Sequence, residues 1–132
     1  MYLGENIKKL GFGLMRLPQK EGGGIDIEQV KLMVSRFLEA DFTYFDTAWA
    51  YAGSEEAINE ALIKRYPRES FQLATKNAAW INCKTRLEAA EQLNVSLERT
   101  GAGYFDFYLL HNLGESRTAA FDRLDMWSFV QE

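Results

Sequence analysis

Histidine and cysteine are almost absent from this chain of 132 residues: each occurs once, as His111 and Cys83. A single cysteine excludes an internal disulfide, and one of each excludes a cysteine-rich or histidine-rich zinc site. Proline occurs only twice, too seldom for a proline-rich linker. No stretch approaches the roughly 18 consecutive apolar residues of a membrane span. The segment Met1 to Asn6 lacks the basic region and apolar core of a secretory signal, so a cytoplasmic protein with no membrane partner is expected. There is no basic run, and 15 Lys and Arg against 19 Asp and Glu leave a net charge of −4. That balance argues against a nucleic-acid partner held through its phosphates.

What is present is the composition of a globular protein, 47% hydrophobic and 26% charged, at the length of one ordinary domain covering residues 1–132. Leu10 to Leu17 is an apolar, glycine-punctuated run stopped by Pro18 and reads as a first strand. Residues 2–9 suggest a small preceding hairpin. Asp26 and Gln29 have capping-box spacing, and Ile27, Val30, Val34, Phe37 and Leu38 follow at helical period, so a helix is expected from Ile27 to Glu39. Phe42 to Phe45 is the second strand. Ser54 is placed to cap a second helix whose inward stripe is Ile58, Ala61 and Leu62, ended by Tyr66-Pro67-Arg68. Phe71 to Thr75 is the third strand. Thr85 and Glu88 open a third helix with Leu87, Ala90, Leu93 and Leu97 as its apolar side, closed by Gly101 and Gly103. Tyr104 to Leu110 is a fourth strand, apolar enough to be buried on both faces. A last amphipathic segment runs from Phe121 to Val130 with Leu124 and Trp127 facing inward.

The four strands begin near Leu10, Phe42, Phe71 and Tyr104, each separated by one helix and by roughly 30 residues, the size of a βαβ crossover. Four such units make either a small open α/β domain or half of a closed barrel, which needs about 250 residues. Spacing alone leaves both open.

In a parallel sheet the carboxyl ends of all strands share one rim. Asp46, Lys76 and His111 end three successive strands, and Tyr51 lies in the loop beyond Asp46. Taken singly, these residues read as a helix cap, a packing residue, a solvated lysine and a core histidine. Together they place an anion, a phenol, a cation and an imidazole on one rim. Free tyrosine, with a pKa of about 10, is a poor proton donor near neutrality. A lysine cation beside it stabilises the phenolate and strengthens the acid, and a carboxylate holds that lysine in place. Such a set can protonate a carbonyl oxygen as its carbon accepts hydride, and the hydride must come from a cofactor. Leu10-Gly11-Phe12-Gly13 begins like a dinucleotide glycine motif, but Arg16 stands where the third glycine belongs, so the fingerprint fails. Close strand packing explains these glycines better. Gly22-Gly23-Gly24 reads as plain flexibility, because no P-loop lysine follows it. Trp49 and Trp80 lie in rim loops and are pocket candidates; Trp127 fits pocket or core.

Four blocks of this sequence resemble the aldo-keto reductases: Leu10 to Pro18, Phe45-Asp-Thr-Ala-Trp-Ala-Tyr51 with Gly53-Ser-Glu-Glu-Ala-Ile58, Leu73-Ala-Thr-Lys76, and Tyr108-Leu-Leu-His111. The resemblance implies a (β/α)8 barrel of the TIM type, of which this chain holds about the first four units, and reduction of small aldehydes or ketones with NADP, or less often NAD, as cofactor. It implies Tyr51 as general acid strengthened by Lys76, Asp46 paired with Lys76, and His111 orienting the carbonyl. Gly13, Leu14, Met15 and Asp46 match positions along the cofactor, and Trp49, Trp80 and Asn112 match substrate-pocket positions. The first and last blocks look most like a branch whose members often carry a C-terminal iron–sulfur domain. The family's later strands, which hold much of the cofactor, have no counterpart in these residues. The 132-residue chain alone is therefore expected to bind cofactor weakly, to be inactive, or to self-associate through two open strand edges and an apolar inner face. Two other readings stay open: a non-catalytic sensor or regulatory subunit that binds nicotinamide cofactor, and a Schiff-base enzyme using Lys76, against which Asp46 argues.

Overall fold

A computed structural model describes residues 4–132. Its centre is a four-stranded, wholly parallel sheet in the order β1 (Gly11–Gly13), β2 (Tyr44–Asp46), β3 (Gln72–Asn77) and β4 (Phe107–Leu110). Helices α1 (Ile27–Glu39), α2 (Ser54–Ile58) and α3 (Arg86–Thr100) join successive strands, and α4 (Glu115–Arg123) and α5 (Met126–Phe129) follow β4. α2 runs on into a π-helical turn, Asn59–Ile63. The strand order follows the chain without a reversal. A doubly wound sheet has a switch point where that order turns back; none occurs among the described residues, so these are consecutive units of a TIM-type barrel rather than a small open α/β domain.

Register assigns the two faces of the sheet. Gly11 pairs with Tyr44, Gly13 with Asp46, Asp46 with Ala74, and Lys76 with Leu109. These residues share the inner face, because neighbouring strands in register point their side chains the same way. The alternate residues, Phe45, Leu73 and Thr75, are fully buried on the outer face beneath the helices. There Leu14, Val30, Val34, Ile58, Leu62 and Phe71 complete the main core. The rings of Phe12, Phe37, Phe45 and Phe71 run through it at centroid distances of 5.3 to 6.0 Å. A second cluster, Ala79, Ala89, Phe121, Leu124 and Met126, seats α4 and α5 against α3.

Several elements differ from the sequence expectation. β1 is three residues long, not eight: Leu14 N–H still bonds Asp46 O at 2.9 Å, but β2 itself ends at Asp46 and offers nothing further to pair. β3 extends to Asn77, so Lys76 lies within the strand. β4 starts only at Phe107, because Asp106 spends its carboxylate on Leu73 N–H (2.8 Å) and Arg68 (2.7 Å). As an edge strand among the described residues it is not buried on both faces, and Leu109 is 40% exposed. The inner face is not simply apolar either, since Gly11, Gly13, Asp46 and Lys76 lie on it beside Tyr44 and Leu109. Gly53, at φ 73°, and not Ser54, precedes α2 as its cap.

α3 opens with the expected reciprocal capping box between Thr85 and Glu88 and closes on Gly101 at φ 65°, but it is rotated from the expected stripe. Leu87 is 77% exposed, and Ala89, Gln92, Ser96 and Thr100 are the buried line. Gln92 accepts from Ala78 N–H at 2.7 Å and donates to Ala78 O at 3.3 Å, so a polar helix face is what the β3 terminus requires. The last segment is two helices, broken where Asp125 takes φ 52°; Trp127 is 39% exposed and donates to Asp122 at 2.7 Å. Of residues 2–9, those described form turns and no strand, and the rest of that expected hairpin lies outside the described residues. Packing explains only the first of the two strand glycines: a Cβ at Gly11 would lie 2.9 Å from Tyr44 Cδ1, whereas one at Gly13 would meet nothing within 4 Å.

Candidate active site

The carboxyl ends of β2, β3 and β4 meet as expected. Lys76 Nζ donates to Asp46 Oδ2 at 2.6 Å and to Thr47 O at 2.7 Å. Its side chain is 14% exposed and that of Asp46 is 31%. The same nitrogen lies 5.0 Å from the centroid of the Tyr51 ring. Tyr51 meets the His111 imidazole edge to face, with centroids 5.4 Å apart and planes at 86°. The four residues thus form one contiguous group.

His111 is held by its backbone: its N–H donates to Asn77 O at 2.9 Å, and its carbonyl accepts from Trp80 Nε1 at 2.9 Å. The Trp80 ring packs on the imidazole at 6.0 Å. Burial pushes the imidazole below its ordinary value of 6.5; the Lys76 ammonium and, less strongly, Arg117 push the same way, and Asp46 opposes them. The neutral imidazole is the form this environment favours. Its Nδ1 is buried without a hydrogen-bond partner.

The other expected site residues divide. Trp80 is at the site. Trp49 is turned to the helix layer, where the Arg99 guanidinium lies 5.3 Å from its ring, and its Nε1 is buried without a partner. Asn112 is exposed in a left-handed turn at φ 61°, with its carbonyl accepting from Gly114 N–H. Gly13 is paired with Asp46, and a Cβ there would meet nothing within 4 Å. Met15 is 57% exposed, whereas the Leu14 side chain is wholly in the core, leaving only its backbone to offer a cofactor. The surface beside Asp46 is thus open where a flat ring could lie.

Residues that the sequence reading passed over support this group from behind. Glu55 is completely buried; it accepts from Thr75 Oγ1 at 2.8 Å and from Arg99 at 3.2 Å. Thr75 is the strand neighbour of Lys76, and Arg99 also donates to Trp49 O at 3.1 Å. The hydroxyls of Thr47 and Ser54 bond at 2.7 Å. Buried Asn77 donates to Ala89 O at 2.7 Å and to the Tyr108 hydroxyl at 3.1 Å. Helical spacing carried a usable signal for Glu55, since Glu55, Ile58 and Leu62 fall on one stripe.

Consecutive parallel β/α units define a TIM-type barrel scaffold, and here an acid, a lysine, a phenol and an imidazole gather on the carboxyl rim, the face on which such barrels keep their chemistry. The chain belongs to the aldo/keto reductase family, whose sequence model matches residues 9–132. It is similar to an aldo-keto reductase of Mycobacterium sp. (strain MCS), 36% identical over 110 residues, covering 82% of this chain and 35% of that protein. It is 33% identical over 108 residues to an aldehyde reductase of Saccharomyces cerevisiae, covering 82% of this chain and 31% of the relative. Among solved structures, an aldo-keto reductase from Klebsiella pneumoniae in complex with NADPH superposes with a TM-score of 0.64 at 26% identity, covering 92% of this chain and 42% of that one. The chain spans about a third of the length of the curated relatives it matches.

Proposed function

We propose that these residues are the proton-donor half of an NAD(P)H-dependent reductase of small aldehydes or ketones. The observation that carries the reading is the Lys76 ammonium, fixed by Asp46 at 2.6 Å and set 5.0 Å from the Tyr51 ring, with the His111 ring 5.4 Å from the same ring. Tyr51 gives its proton to the substrate oxygen. Lys76 stabilises the phenolate left behind, and Asp46 with Thr47 O keeps the ammonium in position. Neutral His111 donates one N–H to the same oxygen and orients it. Trp80 walls the site and fixes the segment that carries His111. Gly13, Met15, the Leu14 backbone and Asp46 would hold the nicotinamide cofactor, which supplies the hydride when bound. NADPH is favoured by the Klebsiella pneumoniae relative, whose structure contains it.

The test is cofactor oxidation with a panel of aldehydes by the full-length protein. A positioned general acid contributes about 10²–10⁴-fold, so Tyr51→Phe should lose that much in kcat with little change in cofactor affinity. Full activity in Tyr51→Phe, or NADPH binding with no turnover of any aldehyde, would overturn the proposal, the second outcome in favour of a sensor. The isolated 132 residues, which cover 42% of the Klebsiella structure, are expected to bind NADPH weakly and turn over little. Tight binding in calorimetry would contradict that expectation.

A further inference from the structure

One cation beside the site is not used by this chemistry. Arg117, in the first turn of α4, lies with its guanidinium carbon 4.8 Å from the centre of the Trp80 ring. Among the described residues it has no carboxylate partner, and its Nε is buried without a hydrogen bond. Other arginines of the fold are engaged: Arg68 with Asp106, Arg86 with Glu132, and Arg99 with Glu55. The Lys76 charge is likewise offset by Asp46. Arg117 is therefore the uncompensated charge near His111, and its effect on that imidazole is the smallest of those acting on it, after burial, Lys76 and Asp46. An arginine stacked on an aromatic face keeps its planar fork free for a bidentate oxyanion. Trp80 couples the two positions physically, since its ring lies 6.0 Å from the His111 imidazole and 4.8 Å from the Arg117 guanidinium carbon.

Resting on the proposed carbonyl reduction, we infer that Arg117 selects carbonyl substrates that carry a carboxylate, with the carbonyl at Tyr51 and His111 and the carboxylate on the Arg117 fork. Trp80 is the platform that braces the fork. A short oxo acid then satisfies the orphaned guanidinium, whereas a neutral aldehyde of the same length leaves it unpaired.

The matched probes are 4-oxobutanoate and butanal. Two readouts apply in the full-length protein: kcat/KM for each, and binding followed by NMR on the imidazole of His111, identified by the signals that disappear in His111→Asn. The expected result is at least a tenfold preference for 4-oxobutanoate (about 1.4 kcal/mol), lost in Arg117→Met with butanal unchanged and partly kept in Arg117→Lys. In Tyr51→Phe turnover should fall while 4-oxobutanoate still shifts the His111 signals, so failure of the reduction chemistry and failure of carboxylate selection give different results. Equal kcat/KM for the two probes in the unaltered protein, or a preference that survives Arg117→Met, would overturn the inference. So would a stronger preference for glyceraldehyde 3-phosphate, which would transfer the fork to phosphate.

Discussion

Removing Arg99 should expose what holds the back of the site together. Glu55 is wholly buried and charged, and it has two partners, Arg99 at 3.2 Å and Thr75 Oγ1 at 2.8 Å. Arg99→Met leaves a buried carboxylate with one neutral donor. Breaking a buried pair in this way costs about 3–5 kcal/mol when both charges are fully desolvated. The Arg99 side chain is 32% exposed and Thr75 still donates, so the expected loss is about 1–3 kcal/mol. Glu55→Gln is the milder change: the amide oxygen still accepts from Thr75, no charge is stranded in the core, and Arg99 keeps Trp49 O and Glu56. Its expected cost is about 1 kcal/mol. In the double variant the Arg99 change should add little, giving a coupling of about 1–2 kcal/mol. Urea unfolding followed by tryptophan fluorescence measures all three. The reasoning fails if Arg99→Met costs less than about 0.5 kcal/mol, or if Glu55→Gln is the more damaging single change.

The remaining tests concern titration, packing and assembly. His111 should titrate by NMR with a midpoint below 6.5, because burial and the Lys76 ammonium both disfavour its cation. The unfolded chain takes up that proton near 6.5 and the folded chain only at lower pH. Stability is thus full above about 6.5 and is lost as pH falls toward the folded midpoint; His111→Asn should remove this slope, and a midpoint at or above 6.5 would contradict the account. Burial pushes the Tyr108 phenol up to about 12, so it should remain un-ionised at pH 11 by ultraviolet difference titration, and stability should fall as pH rises from about 10 toward 12. Tyr108→Phe, which removes an acceptor of Asn77, should cost about 1 kcal/mol in urea unfolding. Finally, β1 and β4 each have one unpaired side among the described residues, with Leu10 54% and Leu109 40% exposed. We propose that the 132-residue chain self-associates through these edges; light scattering on a size-exclusion column should show oligomers that Leu109→Glu weakens, and a clean monomer would refute the proposal.

Local pattern determined much of this protein. The period of Val30, Val34, Phe37 and Leu38 set α1, the Thr85 and Glu88 capping box set the start of α3, and the strand spacing set the β/α repeat, because each depends on residues close in the chain. Even the gathering of Asp46, Tyr51, Lys76 and His111 was legible, since parallel strands must bring their ends to one rim. Tertiary structure decided what depends on partners distant in sequence. The length of β1 was set by how far β2 runs beside it, and the start of β4 by Asp106 reaching Leu73 and Arg68. The rotation of α3 places Gln92 against Ala78 and leaves Leu87 exposed. The turning of Trp49 toward Arg99 and the stacking of Arg117 on Trp80 belong to the same class. The choice of a barrel segment over an open sheet came from strand order, which no spacing encodes. The chain's own order could name the groups gathered on one rim; only packing could show which cation there has a carboxylate partner and which, among the described residues, has none.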